Sequence, residues 1–178
     1  MEEKDTPAIR KATPADCREL VNLCRKTFYE TYKLYNTEED MINYMDSHFT
    51  EPMLAHELLD EHTTVFVVQC GNVLTGYITL RKSANPELFK YRKCIEIARF
   101  YVDSDHQNKK LGKLLMEKCF EYVKENRFEI LWLGVWQKNI RAVEIYKHIG
   151  FQIAGVTTFV LGDDVQEDFI MNLEFKAE

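Results

Sequence analysis

At 178 residues the chain is long enough for one sizeable core and short for two domains. Apolar content of 46% beside charged content of 29% reads as globular, and a formal charge of −6 argues against a general nucleic-acid binder, which needs a basic face. The five cysteines are odd in number with no C-x-x-C pair, and the five histidines show no metal spacing, so neither a disulfide framework nor a metal is expected.

The charged opening "MEEKDTPAIRK" lacks the apolar run of a signal peptide, and no segment is long enough to span a bilayer, so the cytoplasm is the expected compartment. Thr13-Pro14-Ala15-Asp16 is a helix start, with Thr as cap, Pro at the first helical position and an acid in the first turn. Leu20, Cys24 and Phe28 then recur at helical spacing. A second start is Thr37-Glu38-Glu39-Asp40, and a shorter helix is expected after Pro52. "TTVFVVQC" and "VLTGYITLR" flank Gly71-Asn72 and read as a hairpin. A polar loop with Pro86 leads to the strand "KCIEIARFYV"; Leu111, Leu114, Leu115, Cys119 and Tyr122 then mark the apolar face of a helix. "EILWLGVW" is a buried strand, and "NIRAVEIYKHIGF" a short helix with Asn139 as cap and Gly150 as stop. Two last strands flank a Gly162-Asp163-Asp164 turn. The strand–helix–strand unit from about residue 93 to 136 predicts two neighbouring parallel strands within an otherwise antiparallel sheet. The fold class is therefore α/β (α+β), one domain over residues 1–178 with its core from about 8 to 175.

The stretch "DSDHQNKKLGKLLMEKC", Asp103 to Cys119, carries lysines where a helix dipole favours negative charge. Early helical amides have no partner inside the helix and form an anion site. Gln107, Asn108, Lys109, Lys110, Leu111, Gly112 and Lys113 supply such amides, Gly112 permits close approach, and the lysines add charge for a phosphate or pyrophosphate; a merely solvated lysine face is the alternative. A P-loop is excluded because Lys113 is followed by Leu114, and a dinucleotide fingerprint because the loop has one glycine.

"Q-x-x-K-L-G-K" after a strand, followed by "LWLGVWQKNIRAVEIYKHIGF", resembles the two coenzyme-binding motifs of the GCN5-related N-acetyltransferases, the GNAT superfamily. Gln107 and Gly112 match that family's Gln/Arg-x-x-Gly-x-Gly/Ala loop, and Lys110 stands where its first glycine is expected. Right-handed helical angles are expected at residue 110, where the helix should begin, and would let the lysine point at a phosphate; a positive φ, at which a lysine is strained, is the alternative. The resemblance runs from "IRKATPAD" to "FIMNLEF" and is closer still to PaiA-type spermine/spermidine N-acetyltransferases, through "TFYETY", "WLGVWQKN" and "FVLGDDVQEDFIM". It implies a single acetyltransferase domain with acetyl-CoA as cosubstrate and no metal, coenzyme motifs over 93–151 and substrate-side helices over 14–60.

The resemblance further implies a central parallel pair, "IARFYV" and "LWLGVW", that splays into a wedge for the pantetheine arm, near Phe100, Tyr101 and Val102. Asn139, Tyr146 and Lys147 complete the implied coenzyme contacts. Glu96 is the candidate general base, with Ala98 where PaiA-type relatives carry a second acid; alternation would place residues 96, 98, 100 and 102 on one face. A half-exposed strand acid paired with a lysine is the plain alternative. Tyr146 is the candidate acid for the departing thiolate, with a core aromatic as the alternative. Direct transfer is expected, since no cysteine has a histidine partner nearby in sequence.

Substrate residues are expected from the early helices, Phe28, Tyr29, Glu30 and Tyr32 first, then Tyr35, Glu38, Glu39 and Asp40, and from Asp163, Asp164, Glu167 and Asp168 in the last hairpin. Aromatics and carboxylates suit an aliphatic polycation, hence a polyamine; helix caps and turn formers are the structural alternative. A protein lysine or N-terminal amine is the other enzymatic reading, and a non-catalytic acyl-CoA-binding regulator the reading from another class. Exposed apolar side chains on the last strands suggest a homodimer.

Overall fold

The computed structural model describes residues 6–83, 86–106, 109–162 and 164–176. Seven strands form one sheet in the order β1-β2-β3-β4-β5-β7-β6, where β1 is Ala8–Lys11, β2 Thr63–Cys70, β3 Val73–Arg81, β4 Cys94–Val102, β5 Ile130–Trp136, β6 Gln152–Leu161 and β7 Asp164–Glu174. Only β4 and β5 pair in parallel, joined through helix α4, Leu111–Glu125; every other neighbouring pair is antiparallel. Helices α1 (Cys17–Tyr32), α2 (Glu38–His48) and α3 (Glu51–Leu59) pack on one face, and α4 and α5 (Ile140–Ile149) on the other.

The caps follow the sequence signals. Thr37 accepts from the Asp40 amide at the start of α2, Asn139 accepts from the Ala142 amide at 3.2 Å, and Gly150 ends α5 with φ 113°, which a residue with a Cβ rarely adopts. The first start differs in detail. Pro14–Asp16 is a single 3-10 turn and α1 begins at Cys17, because the Asp16 carboxylate is drawn back to Thr13 and, across at 2.7 Å, to Arg10. Arg10 lies in β1, an edge strand that the polar sequence "AIRK" does not advertise and that exists because it pairs with β2.

Alternation along the strands divides the apolar side chains between two cores. Val68, Ile78, Leu80, Ile95, Ile97, Leu131 and Leu133 meet Leu115, Cys119 and Val143 of α4 and α5. Val65, Val67 and Tyr77 meet Leu20, Cys24, Phe28, Met41 and Leu54 of α1 to α3. Each fully buried aliphatic side chain contributes about 1.5–3 kcal/mol relative to exposure.

Candidate functional site

The parallel pair comes apart. β4 and β5 are in register at Cys94↔Ile130, Ile95↔Leu131 and Glu96↔Trp132, and pairing stops there. β4 continues to Val102 and β5 to Trp136, each paired only along its outer edge, to β3 and β7. Backbone groups from Ile97 to Val102 and from Leu133 to Trp136 that face the opening have no strand partner, and such groups need one.

One side of the opening ends in an anion-competent helix start. The first bond of α4 runs from the Leu114 amide to the Lys110 carbonyl at 3.1 Å, so the amides of Leu111, Gly112 and Lys113 have no helical acceptor. No acid occupies the first turn. The approach to the helix is anchored by α1, whose Lys26 ammonium donates to Asp103 and Asp105, both at 2.6 Å. Lys109 and Lys110 are exposed, while Lys113 pairs with Glu117 at 3.6 Å. Gly112 lies against Phe100 and Val102; a Cβ there would meet those side chains at 3.5 and 3.8 Å, an ordinary contact. Gln107 and Asn108 lie outside the described residues.

Lys110 departs from expectation. Its backbone is left-handed, φ 59° and ψ 17°, because the chain must turn from the 3-10 turn at Ser104–His106 into α4. A side chain is strained in that region, and the expectation of right-handed helical angles is therefore corrected.

The face assignment of β4 is corrected as well. Thr79 pairs with Arg99 and Leu80 with Ile97, so Ala98 is an extra residue in a β-bulge. Side chains change phase across it. Ile95, Ile97, Phe100 and Val102 face α4 and α5, whereas Arg99 and Tyr101 face α1 to α3. Glu96 therefore does not share a face with Phe100 and Val102; it looks to the α1 side with Trp132, its parallel neighbour. Among the described residues Glu96 has no ion pair. Beneath the bulge, one guanidinium nitrogen of Arg99 donates to both carboxylate oxygens of Glu57 of α3, and the guanidinium lies over the Phe49 ring. Burial alone would lower the guanidinium pKa, but the Glu57 carboxylate raises it above the ordinary range.

Tyr146 projects from α5 beside Phe100, ring centroids 6.4 Å apart. Burial pushes its phenol well above the ordinary value, with the neighbouring Tyr32 and Cys119 adding to the rise. Tyr32 belongs to α1 on the opposite face, so its influence on Tyr146 acts through the opening. Tyr101 stands between them; burial raises its phenol too, reinforced by Tyr32 and Tyr77.

On the α1 side, Trp132, Gly134 and Trp136 alternate along β5, opposite Asn172, Ile170 and Asp168 of β7. Among the described residues a Cβ at Gly134 would meet a single atom within 4 Å, Asp168 Oδ2 at 3.7 Å, so an open hollow, in which the glycine is solvent-exposed, lies over it. Tyr32 and Tyr35 wall it through Trp136, with centroids 6.2 and 4.7 Å from its ring, and Lys138 sits 5.7 Å from that ring. Asp168 Oδ1 and Trp132 Nε1 are buried with no hydrogen-bond partner among the described residues. Burial pushes the Asp168 carboxyl up to about 6.

The remaining expected residues divide. Tyr32 lines the hollow, but Phe28 is a core residue, stacked on Tyr44 at 4.6 Å and 4% exposed, because the apolar face of α1 turns it toward α2. Tyr29 is on the exposed surface under Lys33, and Glu30 accepts from Ser104 at 3.0 Å, beside the loop before α4 rather than the hollow. Lys147 pairs with Glu144 at 2.9 Å on the outer side of α5. Asp163 lies outside the described residues, and Glu167 is exposed. Gly134, Trp132 and Trp136 were not singled out by sequence; a glycine between two tryptophans at period two in an apolar strand was the available signal.

Residues 22–151 match the Acetyltransferase (GNAT) family. The chain is 30% identical over 165 residues to the uncharacterized N-acetyltransferase in the pepI 3′ region of Lactobacillus delbrueckii subsp. lactis, covering 92% of this chain and 94% of that one. It is 23% identical over 173 residues to the spermidine N(1)-acetyltransferase of Thermoplasma acidophilum, covering 95% and 98%. The crystal structure of PaiA N-acetyltransferase from Thermoplasma acidophilum in complex with coenzyme A superposes with a TM-score of 0.81 at 21% identity, over 96% of this chain and 99% of that one.

Proposed function

The chain belongs to the acetyltransferase (GNAT) family and is an acetyl-CoA-dependent N-acetyltransferase; from that premise we propose that its acceptor is an aliphatic polyamine such as spermidine or spermine, acetylated on a primary amine by direct attack. The observation that carries the acceptor class is the open hollow over Gly134, where aromatic walls and the Asp168 carboxylate meet on one face of the splayed pair. Aliphatic ammonium chains are held by such surfaces through cation–π and charge attraction. The similarity to a spermidine N(1)-acetyltransferase supports the same reading.

The residues fit acetyl-CoA. Unpartnered backbone groups of β4 near Phe100, Tyr101 and Val102 suit an extended amide-bearing arm, and the free amides of Leu111, Gly112 and Lys113, beside Lys109 and Lys110, suit a diphosphate. Gln107, Asn108 and Asn139 belong to the same proposed contact set. Bound there, acetyl-CoA supplies the activated acyl group. Tyr146 supplies a hydroxyl proton at the opening. With its phenol above the ordinary value of about 10 and a thiol near 8.5, it stabilises a departing thiolate by donating a hydrogen bond rather than by giving up the proton outright. Glu96 and Asp168 are the carboxylates of the substrate face, and Tyr32 forms its wall.

Thiol release from acetyl-CoA tests the reading across spermidine, spermine, a monoamine, a lysine peptide and an N-terminal alanine peptide. The highest kcat/KM is expected for the polyamines; a preferred peptide overturns the acceptor class in favour of protein acetylation. Five free thiols, four of them buried, support a reducing compartment, the cytoplasm. Exposed Ile153, Val156 and Val160 on edge strand β6 support a homodimer.

A further inference from the structure

Asp168 is shielded without a counter-ion. Its Oδ1 is out of solvent, and among the described residues it has no hydrogen-bond partner and no ion pair includes it. A carboxylate withdrawn from water without a partner is costly, and burial duly raises its pKa to about 6. Its neighbour Ile170, on the same face of β7, is packed among Phe89, Cys94 and Ile130. Asp168 is instead placed against Trp136 at one end of the opening, with Oδ2 beside the space over Gly134. Tyr32, which senses its charge, also acts on Tyr146 through the gap between β4 and β5.

We infer that Asp168 receives the amino group of the acceptor over Gly134, within the wall of Tyr32 and Trp136, and takes the first of its two departing protons. The inference rests on the acetyltransferase reading and names the base within it. The acceptor arrives as an ammonium ion. Asp168 takes one proton and becomes a neutral acid. The freed nitrogen lone pair forms the C–N bond to the thioester carbonyl carbon, the C–S bond breaks, and its electron pair leaves on sulfur. The second nitrogen proton balances the thiolate, so the products are an amide and a thiol, and Asp168 returns its proton to solvent. Glu96 lies at the closed end of the wedge, four residues along β5, roughly 13 Å away at the strand rise. It is placed for a second ammonium of an extended polyamine rather than for the reacting nitrogen.

Burial sets the titration of Asp168; the titratable groups around the opening are Tyr32 from α1, Tyr101 and Glu96 from β4, Lys138 beyond β5 and Tyr146 from α5, and Thr157, its partner in β6, does not titrate. Because the carboxylate is the active form, kcat/KM falls as pH drops through about 6.

The test is kcat/KM against pH for wild type, Asp168→Asn and Glu96→Gln with spermidine, together with the carbon-13 titration of the Asp168 carboxyl in the coenzyme-free protein. Asp168→Asn is expected to lose about 100-fold or more and the acid limb with it, while Glu96→Gln loses affinity and keeps the limb. The carboxyl resonance is expected to titrate well above ordinary aspartates and to shift downward in pH when spermidine is added. Activity of Asp168→Asn within about threefold of wild type with the limb intact, or a wild-type carboxyl titrating as an ordinary aspartate, overturns the inference whether or not the variant folds well. A wild type that acetylates another amine but not spermidine sinks the polyamine reading alone; the Asp168 comparison is then run with that amine.

Discussion

At the scale of single residues, Lys110 carries backbone strain where the helix begins, at φ 59°. Left-handed geometry costs a residue with a Cβ about 1–2 kcal/mol, and glycine gives back roughly half to one of that in chain entropy. Lys110→Gly is expected to raise stability by about 0.5–1 kcal/mol in denaturant unfolding; a loss of stability would show that the conformation costs nothing here. Tyr146 is a second residue whose role is energetically bounded. A hydrogen bond to a charged partner contributes about 1.5–3 kcal/mol, so Tyr146→Phe is expected to lower kcat by about 10- to 100-fold with little change in melting temperature. Unchanged kcat would leave the tyrosine as core packing against Phe100 and Phe151.

At the scale of elements, the bulge at Ala98 matters most, since it turns Arg99 and Tyr101 to the α1 side while Phe100 and Val102 stay with α4. Arg99 and Glu57 lock α3 beneath that kink, each side chain 16% exposed. Removing one partner of such a pair strands a buried charge, so Glu57→Gln is expected to cost about 3–5 kcal/mol in unfolding free energy, and a paired apolar replacement of both residues to recover most of it. A cost under about 1 kcal/mol would mean that water reaches the pair. Lys26 links α1 to the loop before α4 through Asp103 and Asp105. This is a surface clasp, and Lys26→Ala is expected to raise KM for acetyl-CoA by up to about fivefold with kcat nearly unchanged; an unaltered KM would show the loop holds its shape unaided.

At the scale of the whole molecule, two carboxylate populations oppose each other in pH. The Arg10 guanidinium holds the Asp16 carboxyl below its usual range, so its folded-state pKa is depressed and its contribution, complete above about pH 4, is lost as the pH falls further. Asp168 has the reverse sign: raised to about 6, it erodes stability as pH climbs from the ordinary aspartate value through 6. Melting temperature is thus expected to drop steeply in acid for wild type and less steeply for Asp16→Asn, while Asp168→Asn melts higher than wild type above pH 6. Parallel acid profiles for wild type and Asp16→Asn would rule out the Arg10 pair as the cause. Sedimentation is expected to give twice the mass of one chain, and Val156→Lys the single mass; a monomeric wild type at about 100 μM would remove the β6 dimer.

What the sequence alone determined was local. Alternation at period two and recurrence at 3.6 located the hairpin, the parallel crossover and the helices, and short-range capping chemistry marked Thr37, Asn139 and Gly150. The lysine-flanked helix start and the motif likeness were legible for the same reason, since each is carried by neighbours in the chain. Only the tertiary structure decided the rest. β1 exists by pairing with β2 far along the chain, and Ala98 bulges because Thr79 and Leu80 set its register from a neighbouring strand. Phe28 is core because α2 closes over it, and Asp168 differs from the exposed Glu167 next to it because it is half-buried beside Trp136. Registers and solvation are sums over residues distant in sequence, so no window of the chain contains them.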